Sequence, residues 1–144
     1  MSIAIASDHA GYHLKCQILD YFETSNIEFT DYGCFSPERV DYPDYGAKVG
    51  RVVASGECER GIVICGTGIG IGISANKIKH IRAAICTSEY LAEMARRHND
   101  ANVLALGGRT TTIDIAVRII NIFLNTEFEG GRHGQRVSKI DNIT

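Results

Sequence analysis

The chain has 144 residues, of which 44% are hydrophobic and 22% are charged, with fifteen glycines and only two prolines. This length predicts one domain, residues 1–144, and the composition excludes a disordered or multidomain protein. Fifteen Lys and Arg against seventeen Asp and Glu give a net charge of −2 without any basic tract, so we expect no nucleic-acid partner.

No targeting signal is visible, because the first residues lack a basic region and reach Asp8 before an apolar stretch of signal length. The longest uncharged run, residues 61–76, is broken by glycines and is shorter than the roughly 20 residues of a membrane-spanning helix. Five cysteines without a C-x-x-C pair suit a reducing compartment better than a disulfide framework or a zinc site. We therefore predict a cytoplasmic protein with no membrane partner.

Short runs of β-branched residues alternate with segments of helical period along the chain. The predicted strands are 3–7, 28–32, 61–65, 82–87 and 102–106, and several are apolar throughout, as strands buried on both faces should be. The predicted helices are 12–24, 44–55, 70–79, 88–98 and 112–124, with a last short helix after residue 134. This pattern predicts an α/β fold, a doubly wound three-layer αβα sandwich around a five-stranded parallel sheet of strand order 2-1-3-4-5.

In this fold the connections leaving strands 1 and 3 diverge and open a crevice at the carboxyl ends of the strands, where ligands bind. The first of these connections contains the segment Ser7-Asp8-His9-Ala10-Gly11. Asp8 alone is equally well explained as the N-cap of the following helix. The adjacent His9, placed at the crevice, favours a functional role.

The second connection contains a cysteine followed by alternate glycines, Ile64-Cys65-Gly66-Thr67-Gly68-Ile69-Gly70. Glycines allow close approach of a ligand and leave N–H groups free at a helix start, which predicts an anion-binding loop. The loop has neither the lysine of a P-loop nor the G-x-G-x-x-G register, so no nucleotide cofactor is indicated. The alternative is a tight strand-to-helix turn with an incidental core cysteine.

A helix N-terminus and free amides favour the thiolate form of Cys65, which can act as a base or nucleophile. A cysteine phosphatase needs an arginine six positions further on, where this chain has Ile71, so phosphoryl transfer is disfavoured. A thiolate beside backbone donors suits proton abstraction next to a carbonyl and stabilisation of the resulting enediolate. A non-catalytic phosphosugar-binding module remains an alternative, but it has no use for this thiol.

His98 and Asn99 close the fourth predicted helix and precede the fifth strand. They should therefore lie at the amino edge of the sheet, away from Cys65 of the same chain. If they are catalytic, another subunit supplies them. The alternative for His98 is a simple helix cap.

Two glycine pairs each lead into arginines, Gly107-Gly108 into Arg109 and Gly130-Gly131 into Arg132 and Arg136. Arg132 and Arg136 are four residues apart, so on a helical turn they share a face and can hold one phosphate, with Arg109 as a third contact. The alternative for each arginine is ordinary solvated surface charge.

Five segments, in this order and at these spacings, closely resemble ribose-5-phosphate isomerase type B over nearly the whole chain. They are Ser7-Asp8-His9-Ala10-Gly11, Asp41-Tyr42-Pro43, Ile64 to Gly70, Arg97-His98-Asn99-Asp100, and Glu129-Gly130-Gly131-Arg132-His133 with Arg136. The resemblance implies a Rossmann-like fold and a cofactor-free isomerase that interconverts ribose 5-phosphate and ribulose 5-phosphate in the non-oxidative pentose phosphate pathway. It also implies a homodimer with active sites shared between subunits, leaving open whether dimers pair into tetramers.

The same resemblance assigns roles. Cys65 would move the proton between C2 and C1 with Thr67 near the thiol, and His98 would open the furanose ring with Asp8 nearby. The implied substrate-binding set is Asp8, His9, Tyr42, Gly66, Thr67, Gly68, Ile69, Gly70, Asn99, Arg109, Arg132 and Arg136. No cluster of metal ligands is apparent, so we expect no metal. Allose-6-phosphate and galactose-6-phosphate isomerases have similar loops, so a six-carbon sugar phosphate is the alternative substrate.

Overall fold

The computed structural model describes residues 1–144 as a five-stranded parallel sheet covered by helices on both faces. The strands are β1 (Ile3–Ser7), β2 (Thr30–Asp31), β3 (Arg60–Cys65), β4 (Ala83–Ile85) and β5 (Val103–Gly107). The helices are α1 (Tyr12–Thr24), α2 (Tyr42–Ala54), α3 (Ile69–Asn76), α4 (Glu89–Asn99), α5 (Ile113–Asn125) and α6 (Arg132–Asp141). The predicted α/β three-layer fold is confirmed.

Alternation along β1 shows how the layers are built, because successive side chains of a strand point to opposite faces. Ile3 and Ile5 belong to a cluster of 17 buried residues that joins the sheet to α1, α4 and α5. Ala4 and Ala6 belong to the opposite cluster of 13, which joins it to α2 and α3. Each buried isoleucine contributes roughly 1.5–3 kcal/mol to folding, so both faces anchor the sheet.

The predicted strand order is wrong in its last two positions, because the structure has the order β2-β1-β3-β5-β4. All five residues of β5 are buried, and the strand pairs with β3 on one side and β4 on the other. The three residues of β4 are partly buried or exposed, as suits an edge strand. The longer apolar strand occupies the interior, and the short one is left at the rim.

Element bounds differ mainly at the sheet edges, at the starts of α2 and α6, and at the end of α3, which stops at Asn76 instead of residue 79. β2 keeps two residues and β4 three, because each edge strand has a single partner. α2 begins at Tyr42, two residues before its predicted start, since Pro43 is compatible with the first helical turn. None of the six helices combines the length and apolarity needed to cross a membrane.

The register aligns the carboxyl ends of the three central strands. Ser7 of β1 pairs with Ile64 of β3, and Cys65 pairs with Gly107 of β5. The loops that leave β1, β3 and β5 therefore meet at one edge of the sheet, as the crevice prediction requires.

Candidate active site

Cys65 is the last residue of β3, and its thiol is held at the start of α3. The side chain is 5% exposed, and the amide of Gly68 donates a hydrogen bond to its Sγ at 3.2 Å. A backbone N–H aimed at sulfur stabilises negative charge there, and the N-terminus of α3 acts in the same direction. The geometry suits a thiolate that accepts a proton.

Gly68 is required for this turn. Its φ is +81°, and an added Cβ would lie 2.9 Å from the Leu106 backbone in β5. Thr67 stands exposed beside it, and its Oγ1 accepts a hydrogen bond from the Ile69 amide at 3.2 Å. The next amides of α3 have no intrahelical acceptor, because the first turn of a helix provides none. The loop is thus both a tight turn and a set of donors beside the thiol.

Asp8 and His9 lie on the neighbouring loop that leaves β1. Asp8 is 5% exposed and its Oδ1 accepts a hydrogen bond from the Gly11 amide at 3.0 Å, while Gly11 itself caps α1. Asp8 is therefore a turn-stabilising residue rather than the N-cap, and its second carboxylate oxygen accepts no hydrogen bond from the protein. His9 Nδ1 lies 3.2 Å from both the N and the O of Val40, which leaves Nε2 available for a ligand.

Arg109 reaches the same edge from the loop that leaves β5. The amides of Gly108 and Arg109 donate to the carbonyls of Cys65 and Gly66 at 2.7 and 2.9 Å, so the two loops lie side by side. An added Cβ at Gly66 would lie 3.1 Å from the Arg109 guanidinium. Arg109 is exposed and forms no ion pair within the chain, so its charge is free for an anion.

Tyr42 comes to this edge at the start of α2. Its ring packs on Gly70, where an added Cβ would lie 2.6 Å from the ring. The segment that leads to it is held by Lys15, which is 1% exposed and donates to Asp31 at 2.6 Å and to the Cys34 carbonyl at 2.7 Å. This half-buried ion pair ties α1 to the segment 31–34 that precedes α2.

The remaining predicted residues form a second group, the helix-end group, on α4 and α6. His98 and Asn99 end α4, and Arg132 and Arg136 lie on the first turns of α6. Both arginines are exposed and form no ion pair within the chain. α4 leads into the amino end of β5, whose length of about 15 Å separates this group from the crevice. One chain therefore does not bring the two groups together.

A feature that sequence reasoning missed is the contact between His98 and His133. Their rings stack with centroids 4.3 Å apart and planes 11° apart, and His133 Nε2 lies 3.6 Å from Glu129. The i,i+4 spacing of Glu129 and His133 was the available signal, but only the fold places His98 beside them.

The ring nitrogens of His98 and His133 and a carboxylate oxygen of Glu129 lie within 4.8 Å of one another, the spacing of a metal site. A metal ion binds in the plane of an imidazole ring, along the nitrogen lone pair. Two nearly parallel stacked rings cannot both hold one ion in their planes. The cluster in this arrangement does not fit a metal ion, and the absence of a metal requirement stays a prediction.

The largest cavity, about 700 Å³, lies elsewhere, between the α3–β4 connection, β4 and the end of α6. Of the predicted site residues only Asn99 lines it. The chemistry of the crevice, rather than the size of this cavity, marks the site.

A profile of the ribose/galactose isomerase family matches residues 3–140. The chain is also 46% identical over 141 residues to ribose-5-phosphate isomerase B of Escherichia coli (strain K12), covering 98% of this chain and 95% of that protein. The chain belongs to the ribose/galactose isomerase family.

Similarity to other ribose/galactose isomerases extends over the whole fold. The solved structure of Clostridium thermocellum ribose-5-phosphate isomerase B matches with a TM-score of 0.96 at 55% identity, covering 98% of this chain and 95% of that one. A D-erythrulose-4-phosphate isomerase of Pectobacterium atrosepticum is 43% identical over 142 residues, covering 97% of this chain and 93% of that protein. Relatives of similar identity to this chain therefore carry the names of isomerases for different substrates.

Proposed function

We propose that the protein is a cofactor-independent aldose–ketose isomerase that interconverts D-ribose 5-phosphate and D-ribulose 5-phosphate in the non-oxidative pentose phosphate pathway. The observation that carries the proposal is the buried Cys65 thiol, which accepts the Gly68 amide at the mouth of a loop of backbone donors. Relatives named ribose-5-phosphate isomerase B support the five-carbon substrate. Five free cysteines support a cytoplasmic location.

In the proposed reaction the Cys65 thiolate removes the C2 proton of the open-chain aldose. The C–H electrons form the C1–C2 double bond of an enediolate, whose oxygens accept hydrogen bonds from the amides of the segment 66–70. As the enediolate forms, the carbonyl electrons of C1 move to O1. The thiol then returns the proton to C1, and the O2 hydroxyl proton passes to O1, so that O1 becomes the hydroxyl and C2 the ketone. Thr67 borders the thiol at the open side of the loop, where the sugar enters.

Binding of the sugar requires both groups of residues. His9 and Arg109 at the crevice and Arg132 and Arg136 of the helix-end group would hold the phosphate, while Tyr42 and Asn99 contact the sugar. His98 gives a proton to the ring oxygen during furanose opening, and the free carboxylate oxygen of Asp8 takes the proton of the C1 hydroxyl. Orientation and electrostatics then supply most of the rate enhancement.

The separation of the two groups supports a homodimer with shared sites, in which the helix-end group comes from a second copy. Ile69 and Ile73, four residues apart on α3, are 52% and 57% exposed, and Ile85 beside them on β4 is 37% exposed. An added Cβ at Gly72 would lie 3.0 Å from the Ile85 side chain, so this isoleucine packs beside α3. These exposed isoleucines adjoin the Cys65 loop, so a second copy docked there would place its residues near the thiol.

Comparison of sugar phosphates tests the substrate. We expect kcat/KM for ribose 5-phosphate to exceed that for allose 6-phosphate, galactose 6-phosphate and D-erythrulose 4-phosphate by about 10-fold or more. One carbon more or less changes the distance between the phosphate of the sugar and the C2 proton that the Cys65 thiolate must reach. Activity should persist in a chelator, and no inorganic phosphate should be released. A higher kcat/KM for a four- or six-carbon substrate would contradict the assignment.

A further inference from the structure

His133 has no role in the reaction described so far, yet it makes the closest aromatic contact of the helix-end group. Its ring lies face to face with that of His98, with centroids 4.3 Å apart and planes 11° apart. His133 is 7% exposed, whereas His98 is half-buried. The half-buried His98 ring therefore packs against the more deeply buried His133 ring.

The chain fixes His133 from several sides. Its amide donates to the Gly130 carbonyl at 3.1 Å, and its Nε2 lies 3.6 Å from the Glu129 carboxylate. Glu129 in turn is held to α4, because its amide donates to the Arg97 carbonyl at 3.1 Å and its carboxylate lies 3.9 Å from the Arg97 guanidinium. Glu129 thus ties the segment before His133 to the end of α4, and the His133 ring lies in that contact.

The surroundings of the pair disfavour a proton on His133. Burial lowers the pKa of His133, as do neighbouring His98, Arg132 and Arg136, against an opposing effect of Glu129. Two stacked imidazoles avoid carrying a charge at the same time. His98 lies in the last turn of α4, where the helix dipole favours a cation.

We propose that His133 is a positioning residue: its ring stacks on His98 and holds it in the orientation from which it protonates the ring oxygen of ribofuranose 5-phosphate. The inference rests on the proposed function. In the ring-opening step the C1–O4 bond breaks, O4 takes the proton of His98, and the C1 hydroxyl gives its proton to Asp8 as the aldehyde forms. His133 itself exchanges no proton.

Ribulose 5-phosphate separates this step from the rest of the reaction. Its C5 oxygen carries the phosphate, so the ketose forms no furanose ring and reaches the enediolate without ring opening. Exchange of its C1 proton with deuterated water therefore reports Cys65 alone. Conversion of ribose 5-phosphate reports ring opening and proton transfer together.

We expect His133→Ala to lower kcat for ribose 5-phosphate by about 10- to 100-fold, while C1 exchange of ribulose 5-phosphate stays within about threefold of the wild type. His133→Phe keeps a flat ring that cannot titrate and should recover most of the loss. An equal fall of both rates in His133→Ala, or no fall in either, would overturn the proposal. So would a His133→Phe variant as slow as His133→Ala.

Two controls keep the outcomes distinct. His13→Ala removes an exposed histidine of α1 and should leave both rates unchanged. A wild-type protein that shows neither ribose 5-phosphate conversion nor C1 exchange would refute the proposed function. If only the positioning role is wrong, the wild type still converts ribose 5-phosphate and still exchanges the C1 proton of ribulose 5-phosphate.

Discussion

Replacement of Cys65 by alanine is expected to lower kcat for ribose 5-phosphate by at least about 1,000-fold, because it removes the group that takes the C2 proton in the proposed reaction. The loss should appear in kcat more than in KM, since the phosphate and sugar contacts remain. Steady-state kinetics with a coupled assay for ribulose 5-phosphate measure both constants. Deuterium exchange at C1 of ribulose 5-phosphate should fall by a similar factor.

The matched control is Cys86→Ala. Cys86 is 2% exposed, and burial raises the pKa of its thiol to about 11, so it stays protonated near neutral pH. Its replacement removes a buried thiol of the same size and should leave kcat within a few-fold of the wild type. If Cys65→Ala and Cys86→Ala lose activity equally, Cys65 is a packing residue and the proposed base is wrong.

Mixing two inactive variants is expected to restore activity if the site is shared between subunits. In a heterodimer of Cys65→Ala with His98→Asn, one site combines both substitutions, and the other combines an intact Cys65 with an intact His98. Random reassortment makes half of the dimers mixed, so about one quarter of wild-type activity should return. Each variant alone should be inactive on ribose 5-phosphate.

Reassortment is achieved by mild denaturation and refolding of the mixture, with each variant refolded alone as control. Light scattering should give about twice the chain mass for every sample, or a multiple of that dimer. A dimeric mixture that stays inactive would show that Cys65 and His98 do not share a site across subunits. A monomer with full activity would contradict the dimer itself.

The fold class was predictable from the sequence because a strand that is buried on both faces is a mostly apolar run of residues. β1 and β5 are buried throughout, β3 is buried after Arg60, and helical segments separate them. The order of the strands in the sheet depends on contacts between distant segments, so no single run of residues predicts it. β5 inserts between β3 and β4 because it is the longer and more apolar of the last two strands, a comparison that consecutive pairing overlooks.

The crevice was predictable for a related reason. Asp8 directly follows β1 and Cys65 ends β3, so their meeting follows from topology alone, as does the distance of His98 from them. The stacking of His98 on His133 was not predictable, because it depends on how α6 packs against α4. Contacts between distant helix surfaces leave no mark in sequence spacing.

The central claim, that this chain moves a proton between C2 and C1 of ribose 5-phosphate through an enediolate, is tested most directly by proton NMR in deuterated water. The wild type should form ribulose 5-phosphate with at least partial incorporation of deuterium at C1, because a thiol exchanges its proton with solvent during the enediolate's lifetime. Absence of ribulose 5-phosphate would contradict the activity. Turnover with complete retention of the original hydrogen would contradict the mechanism.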